Sequence, residues 1–176
     1  MELQTKRLQL QELVLEDLND IHLLHSLQET DEFNTLGIPE NIIVTEIILK
    51  EWIEKQNTVP RISYIFCIRL TNLFVGLIAL NIGKPNFKIA EVWFKIHPSY
   101  WRQGYTTEAL ESLFKFGFTN LELHRIEAGC AVENIASIKV MEKVGMIREG
   151  RKRKILPIRG TWVDNYIYSI LETDME

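Results

Sequence analysis

Two cysteines in 176 residues are too few for a disulfide framework or a thiolate metal site. Cys67, in YIFCI, and Cys130, in EAGCAV, form no CxxC pair, and both sit in apolar, strand-like runs that suit buried free thiols. No stretch approaches the ~20 apolar residues of a membrane helix. The opening MELQTKRLQL lacks the apolar centre of a secretory leader, so a soluble, cytoplasmic protein without a membrane partner is expected. Repeats, low-complexity tracts and Pro/Gly/Ser linkers are missing too, and one domain over residues 1–176 is the expectation. Acidic residues outnumber basic ones: the net charge is −4, which provides no global field for nucleic acid and argues against direct nucleic-acid binding. The one basic cluster, RKRK at 151–154, suits a solvated hairpin face better than an acidic-substrate or rRNA contact. His22 and His25 lie three apart with no further ligand cluster, so no metal is expected. Neither GxxxxGK[ST] nor GxGxxG occurs, which excludes the two common nucleotide fingerprints.

Hydrophobic residues make up 46% of the chain, enough for a folded core. Alternation over residues 7–14 predicts a strand, and Leu15, Leu18, Ile21, Leu24 and Leu27 predict a helix over 15–27. TEIILKEWIEKQN predicts a second helix after the loop TLGIPEN. SYIFCIRL and LFVGLIALNI read as strands joined by a tight turn at Thr71–Asn72, and KIAEVWFKI (88–96) as a third that ends at His97–Pro98. Ala109, Leu110, Leu113 and Phe114 form the apolar stripe of a helix that runs to about Asn120. HRIEAGCAV is a strand, and NIASIKVMEKVG a short helix with Asn134 as N-cap and Gly145 past its end. A hairpin around Arg159–Gly160 closes the sequence. The order β-α-α-β-β-β-α-β-α-β-β predicts a mixed, twisted sheet flanked by helices.

The most informative stretch is YWRQGYTTEAL, residues 100–110. A loop that turns straight into a helix leaves the first helical amides without backbone partners, and with the helix dipole they make an anion site. Gly104, lacking a Cβ, permits close approach to the backbone, and Arg102 adds a charge for a phosphate. An ordinary helix start is the alternative reading.

FKIHPSYWRQGYTTEAL, ENIASIKVMEKVGMIREG and RGTWVDNYIYSILETD together resemble the GNAT superfamily of N-acetyltransferases, whose coenzyme A pyrophosphate is cradled by a Q/R-x-x-G-x-G/A loop. The likeness is strong over residues 91–174, and over residues 8–90 it lies mainly in element order. The branch that acetylates ribosomal-protein N-termini is the nearest in pattern, and it also holds enzymes for other amines. The resemblance implies a mixed α/β fold: a twisted, mostly antiparallel sheet with a central splayed parallel pair. It implies acetyl-CoA as cosubstrate and a primary amine as acceptor, a protein N-terminus among the candidates. Trp101 and Thr106 depart from the loop pattern, and Glu108 in the first helical turn would repel a nearby pyrophosphate.

On this resemblance, backbone groups of Phe94 and Ile96 bind the pantetheine arm, although both side chains suit strand packing. Arg102, Gln103, Gly104, Tyr105 and Thr106 supply the pyrophosphate amides. Tyr105 equally suits an aromatic cover for the helix end. Asn134 matches a pantetheine contact and is fully explained as a cap; Ser137 matches a position near the coenzyme sulfur; Lys139 reaches toward the 3′-phosphate or faces solvent. For a general base the candidates are Glu91 and Asp164, the latter among aromatics on one strand face where burial would raise its pKa, or else serving as a structural acceptor. The hairpin glutamate expected of the ribosomal branch falls on Leu156. An α-amino acceptor, with a pKa near ~8, gives up its proton readily, so positioning can carry much of the catalysis. A non-catalytic acyl-CoA-binding module and a small-amine or antibiotic acetyltransferase remain the alternatives.

Overall fold

The computed structural model describes residues 1–175. Its first two strands, β1 (Glu2–Gln4) and β2 (Gln9–Glu12), pair as an antiparallel hairpin. The single strand expected over 7–14 is therefore the hairpin's second arm. Thr5 closes the turn, its amide donating to the Leu8 carbonyl (2.9 Å) and its hydroxyl accepting the Leu8 amide (2.8 Å), a bond pattern that alternation does not register. A 3-10 turn leads into α1 (Leu18–Ser26), and extended backbone at Leu27 separates it from the short α2 (Gln28–Asp31). Helix α3 (Ile42–Gln56) starts earlier than its apolar pattern suggested because the Asn41 side chain accepts the Ile43 and Val44 amides at 3.0 and 3.3 Å.

Strands β3 (Ser63–Leu70), β4 (Leu73–Ile82) and β5 (Ile89–Ile96) follow as an antiparallel meander. Then come α4 (Tyr105–Thr119), β6 (Arg125–Ala131), α5 (Ile135–Lys143), β7 (Ile147–Ile158) and β8 (Thr161–Leu171). Arg159 and Gly160 both take positive φ (48° and 75°), as a two-residue hairpin turn requires. The sheet order is β1-β2-β3-β4-β5-β6-β8-β7, with β5–β6 the one parallel pair among the described residues. This is the mixed, mostly antiparallel sheet expected from the sequence.

Each sheet face has its own core. On one, Leu110, Leu113 and Phe114 of α4 pack with Val92, Ile126 and Tyr168; each such burial contributes roughly 1.5–3 kcal/mol. On the other, Ile21 and Leu24 of α1 and Leu49 of α3 cover Cys67, Leu77 and Ala79. Both cysteines are free and buried, and burial pushes their thiols well above the usual range, Cys130 to about 11. Because side chains alternate along a strand, β5 sends Val92 and Ile96 to the α4 face and Trp93 to the α1–α3 face. That division positions the site.

Candidate active site

The site begins where β5 and β6 part. The Gly83 amide bonds the Ile89 carbonyl (2.8 Å) and the His97 amide the Val75 carbonyl (2.9 Å). In an antiparallel ladder every second residue turns its backbone groups to the same neighbour. Positions 89 to 97 therefore alternate, and the even ones, Phe94 and Ile96 included, face β6. The parallel register with β6, however, stops at Glu91–Glu127. Phe94 and Ile96 direct their backbone groups into the fork between the strands. The Ile96 carbonyl is met there by the indole N–H of Trp101 at 2.8 Å, so Trp101 ties the strand end to the loop that follows.

That loop is the candidate cradle. Arg102 and Gly104 both take positive φ, 60° and 79°, and Gly104 stands as N-cap of α4 with no side chain capping the helix. The amides of Tyr105, Thr106 and Thr107 are thereby left for an anion. Gln103 folds its side-chain amide back onto the Ser99 carbonyl (2.9 Å). Tyr105 is buried, stacked edge-on against Tyr100 with centroids 6.2 Å apart. Its side chain covers the helix end, and its amide is one of the three left open there.

Glu108 does not face the cradle as a free charge. Its carboxylate accepts from the Thr5 hydroxyl (2.6 Å), the Arg7 amide (2.7 Å) and the Arg7 Nε (2.6 Å). Burial pushes its pKa up, but these bonds outweigh that and hold it below the ordinary carboxylate value. Arg7 also donates to the Gln103 carbonyl (3.1 Å) and lies 4.6 Å above the Tyr105 ring. A cation thus sits beside the open amides. No local motif marks Arg7, because its partners lie about a hundred residues away in sequence.

Beyond the cradle, Asn134 caps α5 by accepting the Ser137 amide at 3.1 Å, so the cap engages its side-chain oxygen. Ser137 is half-buried in the first turn of α5, and Lys139 is exposed on that helix. Glu91 is exposed at the last residue pair before the fork, which places a carboxylate at its root. The predicted rise in the Asp164 pKa is corrected: its value is lowered, first by the Lys154 amide (2.8 Å) and then by Arg151 (2.7 Å). The carboxylate pins the bulge of β7 where residues 152 and 156 pair with 165 and 163. Asp164→Asn is expected to lower the thermal midpoint while keeping kcat within about threefold, whereas loss of a general base costs on the order of 100-fold or more. Steady-state rates and a melting curve on the same preparation separate the two. Leu156 is half-buried beyond that bulge. The two helical histidines diverge: His22 Nδ1 meets the Thr45 hydroxyl (2.8 Å), and His25 lies edge-on to Trp52.

A forked parallel pair followed by an uncapped helix is suited to a long ligand with a hydrogen-bonding arm and an anionic end. The family model for the GNAT acetyltransferase domain matches residues 7–147. The chain belongs to the GNAT acetyltransferase family. It is 32% identical over 177 residues to the uncharacterized N-acetyltransferase YnaD of Bacillus subtilis, with 99% of each chain covered. Its fold matches that of RimL, a ribosomal L7/L12 alpha-N-protein acetyltransferase in complex with coenzyme A, with TM-score 0.89 and 17% identity over all of both chains. A spermidine N-acetyltransferase from Vibrio cholerae matches with TM-score 0.84 and 23% identity, over 96% of this chain and 98% of that one. One fold thus serves a protein N-terminus and a polyamine, so membership fixes the acetyltransferase activity and leaves the acceptor to this chain's own residues.

Proposed function

We propose that this protein transfers an acetyl group from acetyl-CoA to a primary amine in a ternary complex, with the N-terminal amine of a protein as the favoured acceptor. The observation that carries this reading is the continuity of fork and cradle, since β5 leads through Trp101 directly into the open end of α4. Phe94 and Ile96 would hold the pantetheine arm through the backbone groups they turn into the fork. Arg102, Gln103, Gly104, Tyr105 and Thr106 would hold the pyrophosphate, with Arg7 beside them. Asn134, Ser137 and Lys139, on the start of α5, would flank the arm and the 3′-phosphate.

Acetyl-CoA supplies the acetyl group as a thioester, and the acceptor must meet it as a neutral amine. An α-amino group has a pKa near ~8 against ~10.4 for lysine, so deprotonation is the smaller obstacle at an N-terminus. Glu91 at the root of the fork is the carboxylate best placed to take that proton. Holding both partners in register provides much of the remaining acceleration. Incubation with acetyl-CoA and a library of N-terminal peptides, read by mass spectrometry, is expected to give a 1:1 acetyl adduct on the α-amine. Acetylation confined to lysine side chains, or to no amine at all, would contradict the reading.

A further inference from the structure

Among the described residues, six buried side-chain polar atoms have no hydrogen-bond partner, and five of them belong to His25, Asp31, Asn34, Lys95 and Asn165. They gather on the sheet face away from α4. Lys95 alternates with Ile96, which belongs to the α4-side core, and shares its face with Trp93. Trp93 stacks against Trp52 (5.6 Å between centroids), and Trp52 against His25 (5.9 Å). The Asn34 amide is bonded to the Asp31 carbonyl at 2.9 Å. Continuing the parallel register past Glu91–Glu127 brings Lys95 level with Ala131, whose partner on β8 is Asn165. The Asn165 side chain lies across Gly129, where a Cβ would meet its Nδ2 at 2.7 Å. Lys95 and Asn165 thus flank the fork from opposite strands, and His25 of α1 and Asp31 of α2 lie close enough to Lys95 for their charges to interact.

Burying an ammonium without a partner is costly, and so is burying half a carboxylate. Asp31 is 7% exposed and has only Arg159, at 3.6 Å, beside its other oxygen. His25 is 2% exposed, and burial lowers its pKa to about 3, so it is neutral. Lys95 is lowered by burial to about 8, with Asp31 opposing the shift, so the ammonium still predominates at neutral pH. The unpartnered donors (Lys95, Asn34) and acceptors (Asp31, Asn165) suit a ligand that presents both kinds of group. An amine beside a carbonyl or carboxylate oxygen does so; a polyamine offers donors only and would set its cations against Lys95. Next to His25 a cavity of about 350 Å³, lined by Leu36, Ile38, Val44 and Ile48, leaves room for an apolar substituent.

We propose that Lys95 is the acceptor-selecting residue: its buried ammonium binds the oxygen of a carbonyl or carboxylate adjacent to the reacting amine, while Asp31 accepts from an N–H of that amine. This rests on the acetyl-transfer reading above. The test is thiol release from saturating acetyl-CoA with an alanyl tripeptide, alanine, spermidine and n-propylamine. The tripeptide or alanine is expected to exceed n-propylamine and spermidine in kcat/KM by on the order of tenfold or more, because the plain amines leave buried polar groups unpaired. The tripeptide-to-alanine ratio tells a peptide carbonyl from a free carboxylate. Lys95→Met should shrink that preference, mainly through a higher tripeptide KM; Lys95→Arg should restore part of it. A wild-type preference for spermidine or n-propylamine overturns the proposal without any variant, as does an unchanged preference in folded Lys95→Met. Tripeptide binding to the coenzyme-free protein, followed by calorimetry in both forms, reads the role of Lys95 even if acetyl-CoA does not bind, which separates this proposal from the coenzyme reading.

Discussion

Gly104→Val is expected to weaken acetyl-CoA binding by about 100-fold, or ~2.7 kcal/mol, while the protein remains folded. Gly104 sits at φ 79°, where an L-residue loses roughly 1–2 kcal/mol and a β-branched one more. Its new Cβ would also lie 3.4 Å from Arg7 Nη2 before the valine methyls are added. The chain relieves that strain by returning φ to negative values, and this re-aims the amides of Tyr105 and Thr106, the groups assigned to the pyrophosphate. Gly104→Ala, strained but less crowded, should fall between. Calorimetric titration of both variants, with melting curves to establish folding, checks the order. Affinity unchanged by valine would mean that the helix start has no part in holding the coenzyme.

Glu108→Gln is expected to weaken coenzyme binding about tenfold, the opposite of what charge alone suggests. Removing a carboxylate from the first turn of a helix that receives a pyrophosphate should tighten binding if that carboxylate repels the ligand. Here it is consumed by Thr5 and Arg7, and it holds the Arg7 guanidinium against Gln103 and Tyr105. Glutamine presents an NH₂ to the Arg7 donor and releases the cation from the cradle. Stability should drop by about 1–2 kcal/mol, a figure kept modest because the Arg7 side chain is 41% exposed. The folded pKa of Glu108 lies below its ordinary value of 4.5, so its contribution is full above that value and is lost as the pH falls through the folded pKa. Between pH 6 and acid, the wild type should therefore lose more stability than Glu108→Gln. Tighter binding in the variant, or parallel pH profiles, would contradict the assigned network.

Much of this architecture was legible because local signals agreed. Apolar runs bounded by turn residues located β3, β4 and β5, and caps at Asn134 and Gly145 bounded α5. The open start of α4 could be read because a helix start, a glycine and their surroundings are contiguous. What the sequence concealed depends on residues far apart in the chain. Arg7 and Glu108 meet only after β1 and β2 fold against α4, which turns an apparent repulsion into an anchor. Asp164 looked like an acid among aromatics until Arg151 and the Lys154 amide reversed the direction of its shift. Lys95 reads as an ordinary polar position at the end of a strand, and the burial of its Nζ, with His25 of α1 and Asp31 of α2 nearby, becomes evident only in the fold.

The central claim is that fork and cradle together hold acetyl-CoA, and calorimetric titration of the intact protein with acetyl-CoA at moderate salt tests it most directly. One-site binding with micromolar affinity is the predicted result. No heat of binding at millimolar coenzyme would contradict the account, leaving a GNAT fold whose Trp101 and Thr106 loop no longer accepts the family's cosubstrate.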